Sequence, residues 1–201
     1  MHSTLSISSA IIEGVRDECS TGLATLAFFY FDFQDASKQD VCSLLSSLLV
    51  QLSNRSNHFY ELLSEFYSKN DRGSQQPSEG ALMKCLKDML TLEQHHCEIY
   101  IVVDALDECP NSSGCPTPRE DVLRIMQELV SLRLSHLHLC ITSRPEVDIR
   151  DALAPLAVHN VTLHEQAGQN QDILDYIKFF ISSDRRYSDG EKKIGNWFSR
   201  P

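Results

Sequence analysis

The sequence predicts a three-layer α/β domain built on a parallel sheet, and three observations carry that reading. Residues 99–103 are β-branched or aromatic with no polar alternation, as in a strand covered on both faces, and residues 137–142 read as another buried strand. Segments with apolar residues at helical spacing stand between the strand-like runs, the alternation from which helix-covered parallel sheets are built. The run at 99–103 then ends abruptly in three acids, Asp104, Asp107 and Glu108. In an open α/β sheet the ligand crevice lies beyond the carboxyl ends of the strands, so these acids stand where a ligand would bind. The plainer alternative is a strand that stops at a solvated acidic turn.

Taken in order, residues 3–19 place Leu5, Ile7, Ile11, Ile12 and Val15 at mostly helical spacing, which predicts a helix beginning almost at residue 1. Residues 25–33, with Leu26, Phe28, Phe29, Tyr30 and Phe31, predict a strand by aromatic content. Ser37-Lys-Gln-Asp40 reads as a capping box with Asp in place of Glu, opening a helix striped with Val41, Leu44, Leu45, Leu48, Leu49 and Leu52. A second helix follows on Phe59, Leu62, Leu63, Phe66 and Tyr67, then a polar loop over 70–78 containing Gly73 and Pro77. Leu82, Leu86, Met89 and Leu90 mark the helix that leads into the acidic strand. For these stripes simple core packing is the preferred reading, because they are purely apolar.

Beyond the acids, residues 110–118 hold three prolines and Gly114 and read as a loop that covers the site. Thr117-Pro-Arg-Glu120 combines an N-cap Thr, Pro at the first helical position and Glu at the third, heading a helix through Val122, Ile125, Met126, Leu129 and Val130. The strand at 137–142 ends at Thr142-Ser-Arg-Pro145. A short helix over 147–153 stops at Pro155, residues 158–163 alternate as a strand, and 171–181 form an amphipathic helix. The last twenty residues read as polar and irregular, and no internal repeat is present.

At 201 residues the chain fits one domain, with room for the start of a second. A hydrophobic fraction of 42% and a charged fraction of 23% are those of an ordinary globular protein. The net charge of −10 disfavours nonspecific binding to nucleic acid or anionic membranes. Seven cysteines, at 19, 42, 85, 97, 109, 115 and 140, include no C-x-x-C pair and fit reduced thiols in a cytoplasmic setting. Cys109 and Cys115 stand too far apart for finger spacing, and His95 and His96 lie on the other side of a strand, which argues against zinc. No segment approaches about 18 consecutive apolar residues, and the N-terminus lacks the pattern of a signal peptide.

Ile101-Val-Val-Asp-Ala-Leu-Asp-Glu108 resembles the Walker B motif of the NACHT subgroup of STAND NTPases, which includes the nephrocystin-3-like N-terminal domains common in fungal proteins. Ile141-Thr-Ser-Arg-Pro-Glu146 resembles the sensor 1 segment of the same family. The resemblance runs from Ser3 to about Ile181. It implies a P-loop NTPase-like fold and a signalling switch in which ATP or GTP with Mg²⁺ controls self-association or contacts with other protein domains. Relatives carry C-terminal repeats, and no nucleic-acid or membrane partner is implied. By this resemblance Asp104 holds Mg²⁺ through water, Asp107 and Glu108 polarise the attacking water, and Arg144 reaches the γ-phosphate. A guanidinium suits that task because its fork pairs with phosphate oxygens and stays charged.

Phosphate cradling in such a fold needs G-x-x-x-x-G-K-[ST], and no Gly-Lys dipeptide occurs in the chain. Met1-His-Ser-Thr-Leu-Ser6 looks like the tail of that motif. Ser3 matches the Mg²⁺-binding Ser/Thr and Thr4 the residue after it, Met1 stands where the second Gly belongs, and His2 where the Lys belongs. The resemblance implies a sheet order of 5-1-4-3-2, of which the chain supplies strands 2 to 5 and lacks the first, phosphate-loop strand. Residues 1–167 are therefore expected to form a truncated NACHT domain, and 168–201 the start of a helical region and an irregular tail. Coding sequence upstream of Met1 is expected to supply an apolar strand and a loop ending in Gly-Lys. A defective member of the NACHT class is the main reading, and a pseudo-NTPase interaction or scaffold module without nucleotide binding is the rival. An Asp-nucleophile phosphotransferase lacks its D-x-D-x-T pattern here.

Overall fold

The computed structural model describes residues 7–20, 22, 24–70, 76–92, 97–112, 114–157, 159–162 and 196–199. Among these residues five strands form one sheet: β1 (Ala24–Tyr30), β2 (Glu98–Asp104), β3 (Leu137–Ser143), β4 (His159–Thr162) and β5 (Asn196–Ser199). Their order is β1-β2-β3-β5-β4 and every pair is parallel. Among the described residues six α-helices accompany them: α1 (Ile7–Ser20), α2 (Val41–Ser53), α3 (Asn57–Lys69), α4 (Glu79–Leu90), α5 (Pro118–Ser131) and α6 (Val147–Leu153). This is the αβα arrangement of a P-loop NTPase-like domain. Among the described residues no helix is long and apolar enough to cross a membrane.

Side chains alternate across a strand, and the sheet sorts its residues accordingly. Ala27 and Phe29 of β1, Ile99, Ile101 and Val103 of β2, and Leu137, Leu139 and Ile141 of β3 pack into one large cluster with α2, α4 and α5. On the other face Leu26 and Val102 pack against Ile11, Ile12 and Val15 of α1, with Phe28, Tyr30, Tyr100 and Cys140 partly buried around them. Three residues separate α1 from β1, with Gly22 among them at φ 74°, and the helix packs on β1 and β2. It therefore runs antiparallel to the strands, with its N-terminal end toward the carboxyl edge of the sheet.

Strand β1 is an edge, and an edge presents unpaired backbone groups. Gln51, on α2, answers part of that need: its amide nitrogen donates to the Phe28 carbonyl (2.7 Å) and its amide oxygen accepts from the Phe28 N–H (3.1 Å).

Two local expectations differ from the structure. Helix α2 is capped by Asp40, whose carboxylate accepts from the Ser43 N–H (2.8 Å), while residues 36–38 form a separate 3-10 turn capped by Asp35. Asp wins at 40 because its side chain reaches the backbone N–H three residues on, the geometry of an N-cap. The segment expected to be irregular at the C-terminal end contributes β5, which lies between β3 and β4, the lane where the family resemblance puts the phosphate-loop strand. A lane with open backbone groups on both sides accepts any strand whose register fits, and Asn196–Ser199 pairs with Cys140 to Ser143 on one side and His159 to Thr162 on the other. The helix expected over 171–181 lies outside the described residues, as do Ser3 and Thr4.

The capping box at α5 forms in full, with the Thr117 hydroxyl accepting from the Glu120 N–H (3.2 Å) and the Glu120 carboxylate from the Thr117 N–H (2.7 Å).

Candidate functional site

Strand β2 delivers Asp104 to the carboxyl edge of the sheet, and the parallel register sets β3 beside it. Asp104 is buried, with 9% of its surface exposed, and a buried carboxylate requires a donor. Thr142, near the end of β3, supplies one: its hydroxyl makes a short hydrogen bond to Asp104 Oδ1. The same hydroxyl oxygen accepts from the Ala105 N–H at 3.2 Å. One β-branched side chain thus satisfies both the carboxylate and the first backbone group after the strand.

The chain leaves β2 through Ala105, whose φ of 54° and ψ of 46° are left-handed. Such a conformation disfavours a Cβ, and the smallest side chain limits the penalty to roughly 1 to 2 kcal/mol. A single 3-10 turn follows over Leu106–Glu108, anchored by the fully buried Leu106. This turn separates the two remaining acids. Asp107 points toward β3: its Oδ1 accepts from the Arg144 N–H at 2.8 Å, and its Oδ2 lies 3.5 Å from Arg144 Nε. Glu108 turns the other way, and its Oε2 accepts from the Phe33 N–H beyond β1 at 3.4 Å.

Asp104, Asp107 and Arg144 therefore share one edge of the sheet, held together by Thr142 and by the direct contact between Asp107 and Arg144. Glu108 stands at the same turn on its β1 side. The Arg144 side chain is 69% exposed, whereas that of Asp107 is 10% exposed, so a nearly buried carboxylate holds an arginine whose fork projects into solvent. Ser3 and Thr4 lie outside the described residues and are not placed against this edge.

The charge of Asp104 is felt nearby. The Cys140 thiol is pushed up to about 12, chiefly by burial and further by Asp104. Burial also raises the Tyr30 hydroxyl, Asp104 adds to the rise, and Arg16 opposes it. Neither group is poised for nucleophilic or acid-base work at neutral pH.

Arg119 is the residue that sequence reasoning missed. It appears there only as a position inside the capping box, yet it is 8% exposed. Its Nη2 donates to the Asp107 carbonyl (2.6 Å), its Nε to the Cys109 carbonyl (3.0 Å), and its Nη1 approaches Asp148 Oδ2 (3.3 Å). No periodic signal marks it, because an arginine at the start of an amphipathic helix ordinarily reads as solvated.

A family model described as "Nephrocystin 3, N-terminal" matches residues 4–144, a span that contains the acidic turn and ends on Arg144. The chain belongs to the nephrocystin 3 N-terminal family. No curated protein and no solved structure matches it.

Proposed function

We propose that this nephrocystin 3 N-terminal domain is the acid and arginine part of a NACHT-type signalling switch that answers to Mg²⁺ with ATP or GTP. The observation that carries the reading is the hold of Asp107 on Arg144 beside a buried Asp104 at the carboxyl edge of a parallel sheet. The donor set fits magnesium, which is commonly held by one or two carboxylates plus water and substrate phosphates. Asp104 would serve that ion through water, with Ser3 as a second oxygen ligand and Thr4 beside the phosphates. The bound metal would neutralise phosphate charge.

Within this reading the acids divide their work. Asp107 orients Arg144 toward the γ-phosphate, and Glu108, whose carboxylate accepts a long hydrogen bond from the Phe33 N–H through one oxygen, orients water with the other. In such relatives the nucleotide state controls self-association or docking of other protein domains in the cytoplasm, and the same is proposed here.

The rival is a scaffold module without nucleotide binding, and residues 1–201 contain no Gly-Lys dipeptide of the kind that cradles phosphates. Losing a buried charged contact of that kind costs about 2 to 5 kcal/mol, roughly 30-fold to several-thousand-fold in affinity. The 201-residue chain is therefore expected to bind Mg-ATP and Mg-GTP weakly and to turn over neither usefully. Isothermal titration with both nucleotides in the presence of Mg²⁺ tests this. A dissociation constant of about micromolar or tighter, abolished by Asp104→Ala, would overturn the defective reading and establish the site as working. Weak binding that Asp104→Ala leaves unchanged would favour the scaffold.

A further inference from the structure

Two charged side chains are buried among the described residues, Asp104 and Arg119, and both serve the same turn. An arginine out of water requires acceptors for its donors, and a fork of fixed geometry reaches several acceptors only if they are held in place. Arg119 binds the carbonyls of Asp107 and Cys109, fixing the acidic turn at two points, while its other arm reaches Asp148 on α6. Its own N–H donates to the Pro110 carbonyl at 3.1 Å. Asp148 is held a second time by the Asn111 side-chain amide (3.0 Å), and Asn111 in turn accepts from the Thr117 hydroxyl (3.0 Å).

These contacts close a ring. Asp107 is gripped at its carbonyl by Arg119 and at its carboxylate by the Arg144 N–H. The segment 144–148 is gripped at its first residue by Asp107 and at its last by Arg119. Neither the acidic turn nor the arginine segment has room to shift without straining the other.

We propose that Arg119 is the positioning residue that couples the acidic turn to the Arg144 segment, so that the two move as one body when a ligand engages either. The bearing of this coupling on triphosphate binding rests on the function proposed above. The coupling itself does not.

Hydrogen exchange of backbone amides in the 201-residue chain, read by NMR without nucleotide, separates the two. In Arg119→Gln and Asp148→Asn the Arg144 amide is expected to exchange about 10-fold faster, the loss of roughly one hydrogen bond's protection, with Val102 and Ile141 keeping their native rates. Arg119→Lys should recover little of the protection, because one ammonium does not span three acceptors. Equal acceleration of all these amides would mean that Arg119 only stabilises the fold, and would overturn the proposal. So would an unchanged Arg144 rate in a folded variant. Should Arg119→Gln fail to fold, Asp148→Asn decides alone, since that carboxylate is a third exposed and its loss leaves the two carbonyl bonds of Arg119 in place. Because no nucleotide is present, failure of the titration experiments leaves this test standing.

Discussion

The two faces of the sheet are built differently. Odd-numbered residues of β1 to β3 enter an apolar cluster of side chains from α2, α4, α5 and their neighbours, many with no exposed surface. Even-numbered residues face α1 and include Tyr30, Tyr100, Asp104, His138, Cys140 and Thr142, around a small apolar group. Tyr100 stacks on His138 with centroids 4.6 Å apart, and Phe28 meets Tyr30 edge-on at 5.5 Å. The strands thus carry stability on one side and polar chemistry on the other. Asp104 and Thr142 reach the carboxyl edge from the polar side, and the odd face fixes the register that lets them meet.

The comparison predicts its largest effect in the odd face. Leu86, on α4, has no exposed surface, and Leu86→Ala is expected to cost about 2 to 5 kcal/mol because packed neighbours leave a cavity that closes incompletely. Ile12→Ala, in the smaller cluster under α1, should fall at or below the low end of that range, since a small cluster collapses more easily. Guanidinium unfolding of both variants reads the difference. A cost at Ile12 equal to that at Leu86 would break the division between the faces.

A middle-sized effect is expected at Thr142. Thr142→Val keeps the shape but removes the hydroxyl, leaving buried Asp104 short of a donor and the Ala105 N–H without its acceptor. Unsatisfied buried groups typically cost about 1 to 3 kcal/mol each. Thr142→Ser, which keeps the hydroxyl, should recover most of the loss, and denaturant midpoints of the pair measure it. Equal destabilisation by Val and Ser would mean that the methyl group, not the hydroxyl, matters at this position.

What the sequence revealed follows the same division. The odd face was legible because its helices carry purely apolar stripes, and β2 because an unbroken apolar run ends in acids. Asp104, Asp107 and Arg144 were legible as candidates because strand ends and motif spacing mark them. Arg119 and Gln51 were not, since each acts through contacts with residues more than ten positions away or on another element, and neither breaks a periodic pattern. The β5 strand was invisible for a different reason: four residues are too few to show a period of two, and only its partners on either side define it. The Asp40 cap was misjudged because Ser37 and Asp40 both offer capping oxygens, and only the backbone angles at 40 select between them.

The smallest effect lies at the far end of the polar face, where Glu98 Oε2 meets His138 Nε2 at 2.8 Å. The Glu98 carboxyl is held below its ordinary value of 4.5, first by that hydrogen bond and then by the charges of His138 and His136, with burial opposing. A carboxyl whose folded value is depressed contributes stability that is present above its unfolded value and is lost as pH falls through the folded value. The native chain should therefore exceed Glu98→Gln in stability at pH 7, and the gap should close as pH falls below about 4.5. The Glu98 side chain is half exposed, so the gap should be small and should shrink further in high salt. Unfolding curves of both proteins at pH 7 and pH 3, each at low and high ionic strength, measure it. A gap that widens toward acid would mean that the neutral carboxyl is the favoured partner of His138. The polar face would then be tuned for acid rather than neutral conditions.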